Sequence, residues 1–297
     1  MRFTNRSNSL IGISVLALML GISLSVTAQT PSPTPVASPT PTLEHEFFKN
    51  VMRDQKAIWT APFHLHQRDG RWLGPIGLAA AALIATDQQT GDEMAELTGQ
   101  LNASRIVSYA GSAYGVGAVA GAFYIAGRAG HNPRARETGV LGAEALLDSA
   151  IVVTALKEIT QRTRPSGGRS RSDFFDGGSS FPSGHSIEAW SLATVIANEY
   201  HDHLPVQIAA YGIASAVSVA RFTGQKHYLS DILVGSAMGY GVGRYVYRTH
   251  HLTRSRPGNG GEEEAALSEG RSKRSVFVMP MYSRMARAYG VAATWSF

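Results

Sequence analysis

The sequence predicts an all-α protein, an antiparallel helical bundle followed by a small C-terminal β-hairpin or irregular tail. Six apolar segments follow one another between short polar breaks, near residues 72–86, 106–127, 139–156, 186–199, 204–220 and 228–247. None of them sustains the apolar–polar alternation of a half-buried strand. Hydrophobic residues make up 44% of the chain and charged residues 16%, a balance typical of a folded domain with a sizeable core.

Local signals place the helices along the chain. Residues 48–59 carry apolar side chains at i, i+3 and i+4 spacing, which predicts an amphipathic entry helix. The helix of the third apolar segment should end at Pro165, because the residue before a proline is pushed out of the α region. The fourth segment begins directly after Ser183, a predicted helix N-cap. His227 and Asp231, four residues apart beside the sixth segment, are predicted neighbours on one helix face.

A different pattern closes the chain. Residues 253–275 are polar and rich in Gly, Glu and Arg, which predicts a linker. Residues 275–281 and 289–297 then alternate weakly between apolar and polar positions, ending in Trp295-Ser296-Phe297. Two short alternating segments favour a small β-hairpin packed on the helical domain.

Three short polar motifs interrupt the Ala- and Gly-rich helical sequence. Lys157 and Arg164 are seven residues apart, so on a continuous helix they would lie only about 20° from eclipsed. The helix after Pro182-Ser183-Gly184-His185 would present free N–H groups and the positive end of its dipole to an anion. In the third motif, which starts at Arg221, an aspartate can accept the proton on one nitrogen of His227 and leave the other nucleophilic. Together the motifs predict a site at one end of the bundle that holds a tetrahedral oxyanion while a histidine attacks its central atom.

In these motifs the chain resembles the superfamily of type 2 phosphatidic acid phosphatases and vanadium haloperoxidases. That pattern reads K-x6-R-P, then P-S-G-H, then S-R-x5-H-x3-D, and this chain matches every position except one. Ala220 stands where the superfamily usually has a serine before the arginine. The motifs run from Lys157 to Asp231, and flanking helices extend the resemblance to residues 70–247. The serine is a helper, so its replacement bears on the level of activity more than on membership.

The resemblance implies an acid phosphatase/vanadium haloperoxidase-like bundle and a role for each motif residue. It implies a metal-independent phosphatase that hydrolyses phosphate monoesters or diphosphates, lipid or small-molecule, through a phosphohistidine intermediate. His227 would be the nucleophile, Asp231 its orienting partner and His185 the general acid. The implied phosphate-binding residues are Lys157, Arg164, Ser183, Gly184 and Arg221. No cofactor is implied, and vanadate would act as an inhibitor.

Two alternatives remain open within this resemblance. A vanadium-dependent haloperoxidase would use the same anion pocket with vanadate as its cofactor, bound to His227. A catalytically degenerate envelope protein of the same fold would bind or scaffold without turnover, and Ala220 is the only motif feature that points to it.

The remaining charged and metal-ligating residues predict no further site. The net charge of +5 favours anionic substrates or surfaces, but no basic–aromatic stripe indicates nucleic acid. The other basic residues near the first motif are expected to be solvated charges: Arg162, Arg169 and Arg171. No metal site is expected, because four histidines lack partners at ligand spacing within one element. These are His64, His66, His250 and His251.

The N-terminus predicts export. Two arginines precede an uncharged stretch over residues 10–26, and Val26-Thr27-Ala28 fits a signal-peptidase cut before Gln29. An uncleaved signal anchor is the alternative. The predicted organisation is a signal peptide (1–28), a Pro/Thr/Ser-rich linker (29–43), the helical phosphatase domain (44–252) and a polar linker with tail (253–297). The protein is expected in the periplasm or cell envelope as a water-accessible domain, with a membrane-associated or membrane-embedded form as the alternative.

Overall fold

A computed structural model describes residues 43–67, 69–95, 104, 107, 111–165, 172–251, 276–283 and 288–295. The predicted leader, nearly all of the Pro-rich linker, Arg169, Arg171 and residues 253–275 lie outside these ranges. The described residues form seven α-helices and confirm the predicted all-α class. The helices are α1 (Leu43–Thr60), α2 (Gly70–Ala95), α3 (Ala113–Ala129), α4 (Pro133–Thr160), α5 (Gly184–Glu199), α6 (Leu204–Thr223) and α7 (Leu229–His250).

The helix starts follow their capping signals. The Asn132 side chain accepts the Ala135 N–H at 3.1 Å, and Pro133 occupies the first helical position of α4. Ser183 caps α5 as predicted, with its Oγ 3.4 Å from the Ser186 nitrogen. The caps therefore fix where α4 and α5 begin, and α5 begins within the second polar motif.

Helix α5 forms the centre of the bundle and packs against α4, α6 and α7. Ile187 and Val195 on α5 are fully buried. Helix α7 approaches α5 closely at two glycines. A Cβ added to Gly239 would lie 2.3 Å from the main-chain oxygen of Ile187, and one added to Gly243 would lie 2.3 Å from that of Ser191. This close packing holds the N-terminal ends of α5 and α7 side by side, and there the Ser183 N–H donates to the Asp231 carbonyl oxygen at 3.0 Å.

Two predicted helical placements are wrong. Helix α4 ends at Thr160, where Gln161 adopts a left-handed conformation with φ 44°. Beyond Thr160 the chain folds back, so that the Phe175 N–H donates to the Thr160 carbonyl oxygen at 2.8 Å and the Gly178 N–H donates to that of Gln161 at 2.8 Å. Arg164 therefore does not share a helix face with Lys157.

The second correction concerns the third motif. Helix α7 begins at Leu229 with Tyr228 as its N-cap, so His227 precedes the helix and Asp231 occupies its first turn. The pair is brought together by a capping turn and not by a helix face. Asp231 accepts the Tyr228 N–H at 2.9 Å, which shapes that turn.

The C-terminal strands form the predicted antiparallel hairpin. Strand β1 (Val276–Ser283) pairs with β2 (Ala288–Trp295), from Val276 opposite Trp295 to Ser283 opposite Ala288. Of the described helices, α4 alone is long and apolar enough by composition to cross a membrane, with a mean hydropathy of 1.7. Because 56% of its most apolar window is buried inside the protein, α4 also fits the role of a core helix.

Candidate active site

The three motifs meet in one electrostatic cluster at one end of the bundle, as predicted. Burial, followed by the basic side chains of Arg221, His227, Lys157 and Arg164, lowers the pKa of His185 to about 3. These five side chains come from the ends of α4, α5 and α6 and from the loops beside them. The interactions show that residues separated along the chain share one polar site.

His227 is held in a defined orientation. It is 1% exposed, and its Nδ1 lies 2.7 Å from the main-chain oxygen of Ser180. Because a carbonyl oxygen only accepts, we assign the proton to Nδ1, which leaves Nε2 as the unprotonated nitrogen. The Asp231 carboxylate is farther from Nδ1, at 3.6 Å. The sequence predicted that Asp231 fixes the tautomer, whereas the Ser180 carbonyl makes the shorter contact.

The protonation states of this pair follow from burial and charge. Burial lowers the pKa of His227 to about 4, although Asp231 acts in the opposite direction. Burial alone would raise the pKa of Asp231, but the interaction with His227 at 3.6 Å and the charge of Arg162 outweigh it and lower that pKa. At neutral pH the site therefore holds a neutral imidazole beside a carboxylate.

Arg162 is the functional residue that the sequence reasoning missed. It was expected to be solvated, but it is 0% exposed and lies between two buried carboxylates. Its guanidinium donates to Asp231 Oδ1 at 2.6 Å and to Asp87 Oδ2 at 2.8 Å. It also donates to Ser230 Oγ at 2.6 Å, and the rings of Phe174 and Tyr228 cover it. No local pattern could mark this role, because Asp87 lies 75 residues earlier in the chain.

Three cations are available for an anion. Burial and the charge of Arg164 lower the pKa of Lys157, and burial lowers the pKa of Arg221 to about 10. Among the described residues, no carboxylate forms a salt bridge with Lys157, Arg164 or Arg221. The buried Nε of Arg221 has no hydrogen-bond partner. An uncompensated cluster of this kind is suited to bind a multiply charged oxyanion.

The second motif contributes a helix N-terminus beside these cations. The Lys157 Nζ lies 3.4 Å from the position that a Cβ on Gly184 would occupy, so glycine lets the ammonium approach the helix start. The Ser183 hydroxyl is fully buried and lies 3.0 Å from the Ser186 hydroxyl. The role of Ser183 is therefore mainly to cap α5, and Gly184 and His185 form the first residues of that helix, beside the cations.

The fold and the motifs define a helical-bundle protein with a histidine-centred oxyanion site. Residues 139–255 match the PAP2 superfamily, a segment that contains all three motifs. The matched segment is less than half of the chain, and it is similar to the PAP2 superfamily that the motif pattern indicated.

Individual relatives are similar over parts of the chain. A lipid A 1-phosphatase from Porphyromonas gingivalis is 31% identical over 122 residues, which is 40% of this chain. The match covers 26% of that relative, so the chain spans about a quarter of the length of the curated relative it matches.

Two solved structures are also similar. A transmembrane PAP2-type phosphatidylglycerolphosphate phosphatase from Bacillus subtilis is 20% identical, with a TM-score of 0.46 over 67% of this chain and 98% of that one. LpxE from Aquifex aeolicus is 22% identical, with a TM-score of 0.40 over 49% of this chain and 83% of that one.

Proposed function

We propose that this protein is a metal-independent phosphatase that hydrolyses phosphate monoesters or diphosphates through a phosphohistidine at His227. The observation that carries the proposal is the convergence of three cations, which form no salt bridge with the carboxylates that the structure describes, on a buried, neutral histidine whose Nδ1 proton is held by a main-chain carbonyl. A phosphoryl group bound by Lys157, Arg164 and Arg221 would meet Nε2 as the nucleophile.

The first chemical step forms a P–N bond and breaks the ester P–O bond. Nε2 of His227 attacks phosphorus, and the leaving alkoxide takes a proton from His185. As the imidazole becomes positively charged, the Ser180 carbonyl and the Asp231 carboxylate stabilise it through the Nδ1 proton. In the second step water attacks phosphorus, His185 takes the water proton, and inorganic phosphate leaves with His227 regenerated.

The bound phosphate is needed to charge the general acid. The low pKa of His185 means that it is neutral in the free site at neutral pH. A phosphate dianion would offset the cations that depress that pKa, so substrate binding would promote protonation of His185. The three cations also supply the charge that a metal ion would otherwise provide in the transition state, which is why we propose turnover without a divalent metal.

A phosphorylated lipid is the proposed substrate class. A cavity of about 580 Å³ is lined mainly by apolar residues of α1, α3 and α4, and its lining includes one residue of α5. That residue is Glu188. Burial raises the pKa of Glu188 to about 7, although the nearby charge of Lys157 acts in the opposite direction. An acyl chain in this cavity could therefore belong to a lipid whose phosphate lies at Lys157. Exposed apolar side chains on and before α2 would support membrane association in the envelope, among them Phe63, Trp72 and Leu78.

The chemical proposal is tested by trapping the intermediate. We expect purified, EDTA-treated protein to release phosphate from ester substrates and to retain an acid-labile, base-stable phosphoryl label on His227 after a rapid quench. His227→Ala should lose both the label and turnover, because no nucleophile remains. A label on His185, or activity that disappears with EDTA and returns with magnesium or zinc, would contradict the proposal.

The lipid proposal is tested by filling the cavity. Gly121 lines the cavity, and an added Cβ there would meet no atom within 4 Å, so Gly121→Leu should fold. We expect KM for a long-chain phosphatidate to rise while hydrolysis of p-nitrophenyl phosphate stays unchanged. Gly212→Leu on α6 is the matched control, because Gly212 has the same free space but does not line the cavity. Equal effects on both esters would argue against an acyl site here.

A further inference from the structure

A second cluster of ionisable side chains lies where α1, α4 and α7 pack together. Asp54 on α1 and Glu144 on α4 are 0% exposed, and His250 at the end of α7 is 7% exposed. Glu144 precedes Lys157 by 13 residues. That separation corresponds to about 20 Å along α4, so the cluster is distinct from the phosphate site.

The polar atoms of the cluster converge on a small volume. His250 Nε2 lies 2.9 Å from each Asp54 carboxylate oxygen and 3.1 Å from Glu144 Oε1. One ligating atom from each residue lies within 4.8 Å of the others. Ligands at about 2.0–2.1 Å from a tetrahedral ion are separated by about 3.3 Å. The distances from His250 Nε2 to Asp54 and Glu144 are within a few tenths of an ångström of that separation, and the two carboxylates lie within 4.8 Å of each other.

The carboxylates lack the partners that burial normally requires. Neither oxygen of Glu144 receives a hydrogen bond, and Asp148 Oδ2 has none either. His250 Nε2 is close to one Glu144 oxygen, but a single ring nitrogen cannot serve three carboxylate oxygens. Among the described residues no lysine or arginine forms a salt bridge with Asp54, Glu144 or Asp148. Three buried carboxylates facing one imidazole need another source of positive charge.

We propose that Asp54, Glu144 and His250 bind one divalent first-row transition-metal ion such as Zn²⁺, with Asp148 beside it as a further carboxylate. One imidazole with carboxylate oxygens is a donor set that suits such an ion. Gln55 donates to Asp148 Oδ1 at 2.8 Å, which holds that carboxylate in place next to the cluster. Spacing along the sequence could not reveal the site, because each ligand comes from a different helix.

The metal would tie α1 to the core of the bundle. Its ligands include no residue of the phosphate site, so the ion would stabilise the fold without taking part in turnover. The competing explanation is a bound proton. Burial and the neighbouring charges of Asp54 and Asp148 raise the pKa of Glu144 to about 9, which favours a protonated Glu144 that could donate to Asp54.

The test uses the untagged full chain, stripped with a chelator and dialysed. We expect Zn²⁺ titration followed by elemental analysis to give close to one equivalent per chain, with a rise in Tm. Co²⁺ should give visible d–d bands of a nitrogen- and oxygen-ligated site. Glu144→Gln should weaken Zn²⁺ binding on the order of 100-fold or more, since loss of a supporting residue alone typically weakens binding 10–100-fold.

The matched control is Glu199→Gln. Glu199 belongs to a second group of possible ligands, with Glu137 and His251. The Glu199→Gln substitution should therefore leave one equivalent of zinc bound. Loss of zinc in Glu199→Gln but not in Glu144→Gln would overturn the assignment, as would less than about a tenth of an equivalent in the wild-type chain. If Glu144→Gln fails to fold, the wild-type Co²⁺ spectrum decides, because absence of bands overturns the site. Initial phosphatase rates of the stripped protein, measured below its Tm, keep this outcome separate from the proposed activity.

Discussion

Arg162→Lys should destabilise the protein strongly although it preserves the charge. Arg162 uses different donors for Asp87 and Asp231, and both carboxylates are 0% exposed. A lysine ammonium is a compact point charge on a flexible stem and cannot present the fork that spans both partners. One carboxylate would therefore be left buried without its main donor.

The magnitude follows from the bonds lost. Arg162 donates to Asp231, Asp87 and Ser230 at 2.6 to 2.8 Å. Losing two charge-assisted bonds at about 1.5 kcal/mol each gives a loss of about 3 kcal/mol in the free energy of unfolding. For a domain of this size that corresponds to a fall of about 6–12 °C in Tm.

The assay is urea unfolding and calorimetry of wild type and variant, with kcat and KM for a soluble ester. Arg162 acts on the site through Asp231, so we expect kcat to fall by about tenfold, equivalent to about 1.4 kcal/mol, while KM changes little. Arg134→Lys is the matched control. Arg134 also pairs with an aspartate and covers a tyrosine ring at 4.4 Å, but its side chain is 32% exposed. That variant should lose under about 1 kcal/mol.

Equal losses in the free energy of unfolding for Arg162→Lys and Arg134→Lys would refute the reasoning. They would mean that burial between two carboxylates does not make the bonds of Arg162 more stabilising than those of an exposed arginine. A rise in KM with unchanged kcat in Arg162→Lys would also refute it. That pattern would mean that Arg162 binds substrate directly and does not position Asp231.

Further outcomes are expected from the site and the leader. His185→Ala should slow alkyl phosphates by about 10²–10⁴-fold and p-nitrophenyl phosphate much less, because only the alkoxide needs a proton; equal losses would remove His185 as the acid. Vanadate should inhibit competitively, whereas halide oxidation by vanadate-loaded protein without phosphate release would favour a haloperoxidase. Burial lowers the pKa of His227 from 6.5 to about 4 in the folded protein. Between these pH values His227 is protonated in the unfolded chain but neutral in the folded chain, so the free energy of unfolding should fall as the pH falls. The slope for His227 is at most about 1.4 kcal/mol per pH unit, and urea unfolding at several pH values checks it, because His227→Gln should show a shallower dependence than wild type and an equal slope would refute the assignment. N-terminal sequencing of the exported protein should begin at Gln29, and any earlier start would favour the uncleaved anchor.

The parts of the fold and site that could be predicted depend on local signals. Ser183 was identified as an N-cap because capping requires only a hydroxyl at the right distance from a helix start, and the structure confirms it. The meeting of the three motifs followed from their places at helix ends on one side of a bundle. The assigned roles of His227, His185 and Asp231 stay predictions until the variants are measured.

The parts that sequence could not predict depend on contacts across the chain. Helix α4 ends at Thr160, where residues 172–180 fold back onto the carbonyl groups of Thr160, Gln161 and Arg162, and no residue before Pro165 signals that return. Arginine is usually found on the surface of proteins. Arg162 is buried because Asp87 and Asp231 both pair with its guanidinium. The His250 cluster joins three helices and was missed for the same reason.

The contact between His227 Nδ1 and the Ser180 carbonyl has a consequence for how the protein can evolve. A main-chain oxygen is present whatever amino acid is encoded at position 180, so genetic drift there cannot delete the partner that sets the histidine tautomer. Replacing Ser180 would remove only its hydroxyl bond to Asp231. Selection could then tune the charge around the nucleophile by changing side chains while its protonation geometry is inherited with the backbone. Lineages that lose catalysis would be expected to do so by replacing the histidine or the cations and to retain this loop.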